Sequence, residues 1–151
     1  MKKTILLLSL ICFTTNYYAQ DTQTHHIGTS IGITTGIGIS YRYWPSKLGI
    51  QITAAPLLLS KSDKIYSIGM SALYTLKDNE IVDLYSYVGS SILIETYSPL
   101  IYNAGVGIGF KFDFLKNLNY NIQFGYGANI SNKQSFSRYG IVGETGLYYH
   151  F

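Results

Sequence analysis

Four sets of residues have the types that chemistry needs. Ser131 follows Asn129 by two positions and precedes Asn132, so its hydroxyl could attack if a base lay beside it. A base must take the hydroxyl proton, and the amide of Asn129 cannot. His25, His26 and His150 could ligate a metal or move protons. Adjacent residues of a strand point to opposite faces, so His25 and His26 cannot chelate together. His26 and His150 meet only if the first and last strands adjoin; they are read as polar rim residues, with no metal and no cofactor assigned. Gly105-x-Gly107-x-Gly109 has the glycines of a phosphate loop but sits mid-strand with no helix after it, which excludes that reading. The last set is seven charges, Arg42, Asp83, Glu95, Lys111, Asp113, Arg138 and Glu144. Brought together away from water they must pair or be hydrogen-bonded, as a structural network or as a path for protons or small ions.

What would position them is a set of strands. Apolar and polar residues alternate with period two, the strand period, and turn residues interrupt the alternation. From Tyr102 to Phe114 the even positions are all apolar or aromatic, while the odd ones are Asn103, Gly105, Gly107, Gly109, Lys111 and Asp113. The run from Asn119 to Ile130 repeats this, and Tyr139, Ile141, Leu147, Tyr149 and Phe151 share one face of the last. Eight strands are predicted, over 24–34, 36–44, 48–59, 64–77, 81–96, 101–114, 118–130 and 137–151. Pro56 falls inside the third. Proline cannot donate to a ladder, so a fray or bulge is expected there.

The first residues are read apart from the fold. Lys2 and Lys3 precede a short apolar run from Ile5 to Phe13, and small or polar residues then lead to Ala19 and Gln20. This is the order of a secretory signal peptide over 1–19, cleaved between Ala19 and Gln20. Cys12 lies within the apolar run behind Ile11, which is not the small residue a lipidated cysteine follows. Removing Lys2 and Lys3 takes eleven basic residues to nine against eight acidic ones, a balance of +1, and no basic cluster offers a nucleic-acid surface. The mature domain is 20–151, without cysteine and without the roughly eighteen consecutive apolar residues that a membrane helix requires.

Two barrels fit eight alternating strands, and each is the other turned inside out. Charge and glycine placement choose between them. All seven strand charges lie on the polar face, and so do most strand glycines, among them Gly28, Gly69, Gly89, Gly105, Gly127 and Gly146. A solvated outer surface does not need glycine, whereas the crowded interior of an eight-stranded barrel does. The apolar face carries Tyr41, Tyr43, Phe114, Tyr120, Tyr149 and Phe151 toward one rim and Tyr66, Tyr102 and Tyr139 toward the other. Two aromatic belts are what membrane–water interfaces select. The expected fold is all-β: one antiparallel, eight-stranded, transmembrane up-and-down barrel with short loops.

The chain's last eight residues carry a further pattern. Glu144, Gly146, Tyr149 and Phe151 fill its polar, glycine, aromatic and terminal aromatic places. The pattern resembles the C-terminal insertion signal of bacterial outer-membrane proteins, and the domain is similar to the small outer-membrane barrels of the OmpA/OmpX type. The resemblance implies the cell outer membrane of a Gram-negative-type bacterium, contact with outer-membrane lipid, and recognition by the barrel-assembly machinery. The stretch Asn129-Ile130-Ser131-Asn132, with Glu144 downstream, resembles the His-x-Ser-Asn segment of outer-membrane lipid A deacylases, except that Asn129 replaces the catalytic histidine. The expected function is therefore non-enzymatic: a barrel with a plugged lumen and no open pore, serving envelope integrity. The alternatives are an accessory subunit of a larger envelope complex and a lipid-modifying enzyme that lacks the serine–histidine arrangement.

Overall fold

The computed structural model describes residues 24–58, 64–79, 81–95, 100–131 and 137–151, with backbone alone at 56–58, 64, 65, 95, 137 and 138. The predicted signal peptide over 1–19 and the Ala19–Gln20 junction lie outside the described residues. Eight strands follow in order: β1 (His25–Gly32), β2 (Gly36–Tyr43), β3 (Leu48–Leu58), β4 (Lys64–Lys77), β5 (Val82–Glu95), β6 (Ile101–Leu115), β7 (Leu118–Ser131) and β8 (Ser137–His150). Each pairs antiparallel with its sequence neighbour, and β1 pairs with β8 to close the barrel. Closure leaves no free lateral edge along the paired length of the strands.

Strand alternation puts opposite chemistry on the two faces. Outward residues are apolar and exposed, including Ile39, Met70, Val106, Tyr126 and Ile141. Inward residues are polar and buried, including Ser40, Arg42, Gln51, Asn119, Asn121, Gln123 and Glu144. That is the arrangement of a membrane barrel, with its polar groups sheltered in the lumen. Among the large inward side chains, Tyr85, Tyr87 and Leu73 pack as one cluster with Trp44 against them. The ring of Tyr85 lies over Gly109, and that of Tyr87 over Gly107 and Gly125, where any side chain would collide with it. Gly105, Gly107 and Gly109 are thus seats for aromatic and turn atoms within the lumen.

Two features depart from the pattern read in sequence. β3 neither frays nor bulges at Pro56: its register with β4 runs unbroken from Leu48↔Tyr74 to Leu58↔Lys64. The reason lies on the other edge, where the β2 ladder ends at Ile39↔Ala54, two residues earlier, and asks no N–H of Pro56. Register shifts occur instead at Thr75/Lys77 and Asp113/Leu115, near the rim that holds the chain's C-terminus. Secondly, β1 and β2 are eight residues each while β4 to β8 are fourteen or fifteen. The turn Ile33–Thr35 leaves the wall and folds into the lumen, with Thr34 and Thr35 fully buried. Gly36 (φ +87°) and Gly38 (φ +139°) supply the backbone conformations that this inward bend requires.

Candidate functional site

Of the seven charges foreseen as one network, the five whose side chains are described, Arg42, Asp83, Lys111, Asp113 and Glu144, fall into three separate places. Lys111 and Asp83 are directly opposed in the β5–β6 ladder, and Asp113 is two residues along β6, on the same face. Lys111 Nζ sits 2.6 Å from Asp83 Oδ2 and 3.2 Å from Asp113 Oδ2. Asp83 also accepts the Asn79 amide, which ties the turn before β5 to this cluster.

Arg42 is 2% exposed and meets no carboxylate among the described residues. Its Nε donates to Gln51 Oε1 at 2.8 Å, directly across the β2–β3 ladder, and one terminal nitrogen donates to Asn121 Oδ1 at 2.6 Å from β7. The face of the guanidinium lies 3.8 Å from the centre of the Tyr148 ring. Neutral oxygens and an aromatic face thus stabilise a buried cation that the sequence suggested would find an acid. Asn121 passes the chain of bonds to Asn119, while Gln123 and Tyr85 join it from above. At the rim, the Asn119 amide donates to Nδ1 of both His26 and His150, each at 3.2 Å. His150 donates its Nε2 proton to the Lys116 carbonyl. The two imidazoles that sequence placed together do meet, ring centres 5.5 Å apart, but each turns Nδ1 to an amide. Among the described residues no three metal-ligating side chains cluster.

Glu144 is held by the β1–β2 turn. Its Oε1 accepts the Thr34 amide at 2.7 Å, the Thr34 hydroxyl, and the Thr35 amide at 3.2 Å. Arg42 is engaged with Gln51 and Asn121 nearer the lower rim. The side chains of Glu95 and Arg138 lie outside the described residues. Further bonds fix the same tip, from Ser91 Oγ to the Ile33 carbonyl at 2.6 Å and from the Ile37 amide to Ser67 Oγ at 3.0 Å. Thr34 Cγ2 reaches Gly105 and Gly127, and the Thr34 and Thr35 carbonyls abut Gly89 and Gly69. Those glycines belong to β4 through β7, so the tip crosses the lumen from the β1–β2 wall and rests on the far side.

The fold is that of the small outer-membrane eight-stranded barrels. The structure is similar to the N-terminal β-barrel domain of Pseudomonas aeruginosa OprF, with a TM-score of 0.56 at 12% identity over 84% of this chain and 95% of that one. It is also similar to Neisserial surface protein A, with a TM-score of 0.51 at 18% identity over 84% of this chain and 94% of that one. No protein-family model matches the sequence, and no curated protein does.

Within this barrel the remaining candidates take plain positions. Asn129 lies between Asn103 and Arg138 in the ladders, and Ser131 ends β7 opposite Ile101. Among the described residues the Ser131 hydroxyl has no hydrogen-bond partner and no base beside it. Of the C-terminal pattern, Glu144 and Gly146 face inward while Tyr149 and Phe151 are exposed. The Phe151 amide donates to the His25 carbonyl at 3.0 Å, and its ring stacks on His25. Sequence reasoning missed Thr34, Thr35, Trp44 and Tyr148. Tyr148 was legible by parity, two residues beyond Gly146 on the same face. Thr34 also keeps the inward parity, two residues beyond Gly32, and the alternation breaks only at Thr35.

Proposed function

We propose that this chain is a closed, non-conducting barrel of the outer membrane whose role is structural, in envelope integrity, and not enzymatic. One observation carries the reading: the Ile33–Thr35 tip crosses the lumen and is held there by Glu144, Ser91 and Ser67. Below it, Arg42, Tyr85, Tyr148, Gln51 and Asn121 fill the remaining section. An eight-stranded barrel leaves room only for side chains to fill, so a backbone turn laid across it removes any continuous water path. Export by the N-terminal segment, insertion guided by Glu144, Gly146, Tyr149 and Phe151, and contact with outer-membrane lipid belong to the same proposal.

The test is electrical and cellular. Purified barrel in a planar bilayer is expected to give no stable steps of porin size, and fractionated cells are expected to carry it in the outer membrane. Reproducible large conductance from pure protein overturns the closed-lumen reading. Recovery in the inner membrane or as a soluble species overturns the location.

A further inference from the structure

The alternation of β1 and β2 runs past the point where the wall lets them go. Ile27, Thr29 and Ile31 face outward on β1, as do Ile39, Tyr41 and Tyr43 on β2. The same parity carries on through Ile33 and Ile37, with Gly32, Thr34, Gly36 and Gly38 in the inward places. A segment patterned for the wall is thus turned into the lumen. Its position there leaves Ile33 49% exposed, although the Ile33 carbonyl lies inside on Ser91 Oγ.

The wall has an opening in matching register. The β1–β8 ladder stops at Ile31↔Thr145 and the β2–β3 ladder at Ile39↔Ala54. Continued in the same register, the next rungs are Gly32↔Glu144, Ile33↔Gly143 and Gly38↔Ala55. Among the described residues no strand pairs with those edges of β8 and β3, and unpaired backbone groups at membrane depth are costly. Pro56 has no N–H, so it ends the extension on β3 after a single rung. A few ladder bonds in the wall therefore stand against the bonds of Glu144, Ser91 and Ser67 in the lumen. The bend that separates the two positions sits on glycine. A Cβ at Gly38 would collide with the Ala54 carbonyl oxygen, and φ there is +139°; an extended strand requires neither.

We propose that the tip of the β1–β2 hairpin, residues 32–38, is a two-position strap. In one position it rests in the lumen on Glu144; in the other it stands in the wall, on the next rungs between β8 and β3. The wall position turns Ile33 and Ile37 to lipid and gives the free edges of β8 and β3 their backbone partners. It also uncovers a chamber in the upper lumen, bounded by Glu144, Ser67, Ser91 and the glycines that now seat Thr34. The swing opens a chamber and not a pore, because Arg42, Tyr85, Tyr148 and Gln51 fill the section below in both positions. The inference goes beyond the closed lumen, whose filled layer it leaves in place.

Residues 20–151 contain no cysteine, so engineered disulfides can report each position. Thr34→Cys with Gly127→Cys reports the lumen, where Thr34 Cγ2 and a Cβ at Gly127 stand 3.1 Å apart. Ile33→Cys with Gly143→Cys reports the wall, where the two would share a rung. Ile33→Cys with Tyr139→Cys, four residues farther along β8, is the register control. The full barrel in phosphatidylcholine vesicles, under mild oxidation, is expected to form the first disulfide quickly, the second more slowly, and the control not at all. Gly38→Ala disfavours the bend, and Ser67→Ala with Ser91→Ala removes two inward bonds of the tip. Each should speed the Ile33–Gly143 disulfide at least fivefold, and the barrel locked by it should give no porin-sized steps in a planar bilayer. Formation of the lumen disulfide alone, in the parent and in every variant that folds, overturns the second position. Formation of the wall disulfide alone overturns the first. Equal rates at Gly143 and Tyr139 overturn the register, and porin-sized steps from the wall-locked form overturn the chamber.

Discussion

Glu144 Oε1 grips Thr34 twice, through its amide at 2.7 Å and through its hydroxyl, across 110 positions of sequence. With the bonds from Ser91 and Ser67, that oxygen holds the turn in the lumen. Glu144→Leu removes the acceptor for two buried amides and a hydroxyl. Unsatisfied buried groups cost about 1–3 kcal/mol each, so for these three the folded barrel is expected to lose roughly 3–9 kcal/mol. Glu144→Gln keeps an acceptor oxygen and should lose less than half as much. The check is the temperature at which the compact gel band converts to the unfolded one; equal midpoints for Glu144→Leu and the parent would contradict the grip.

Arg42 and Glu144 act separately, because the amides of Gln51 and Asn121 serve the arginine and the turn serves the glutamate. The double variant Arg42→Met, Glu144→Gln should therefore lose the sum of the single losses to within about 0.5 kcal/mol. Denaturant titration of the refolded barrel measures this. A coupling above about 1 kcal/mol would mean that the two charges sense each other directly.

The seat beneath the turn gives a steric prediction. A Cβ at Gly105 would stand 2.5 Å from Thr34 Cγ2 and 2.9 Å from the Tyr126 carbonyl. Gly105→Val is expected to reduce the yield of folded barrel severalfold. Adding Thr34→Ser, which deletes Cγ2 and keeps the hydroxyl on Glu144, should recover part of the yield. Gly140→Ala, where a Cβ meets nothing within 4 Å, should fold as the parent does. If Thr34→Ser brings no recovery, Thr34 does not rest on Gly105.

Most of the wall was legible beforehand, because period-two alternation both locates a strand and says which way it faces. Boundaries of β4 and β7 agree with the sequence reading to within a residue, and the inward parity of Arg42, Asp83 and Glu144 follows from the same alternation. What the lumen residues touch was not legible. Parity fixes a direction but not a height or a rotamer, so Glu144 could be assigned to an arginine when a turn lay closer. The inward course of Ile33–Thr35 was hidden for a related reason: Thr-Thr-Gly reads as an ordinary exposed turn, and its matching glycines are scattered over four other strands.

Deleting Phe151 separates two roles. The residue ends the proposed insertion pattern, and its amide also ties the chain end to the His25 carbonyl. In cells the deletion is expected to lower assembled barrel severalfold and leave unfolded protein in the periplasm. Refolding of the purified chain into detergent should drop far less, since one terminal bond and one stacked ring are lost. Equal losses in both settings would make Phe151 a structural residue and not a recognition one.

The circle of strands is uneven in thickness. The ladder between β6 and β7 runs from Ile101↔Ser131 to the Leu115↔Leu118 end, whereas the one between β1 and β8 spans only His26↔His150 to Ile31↔Thr145. Unequal ladders mean unequal clocks. Amide hydrogens of β1 and β2 can exchange with deuterated solvent by unzipping of that thin side while β3 to β8 stay an intact sheet, whereas those of β6 and β7 must wait for the whole molecule to open. For assembly the expectation runs the other way, with the longer ladders forming first and the short β1–β2 hairpin closing last and carrying Thr34 to its seat.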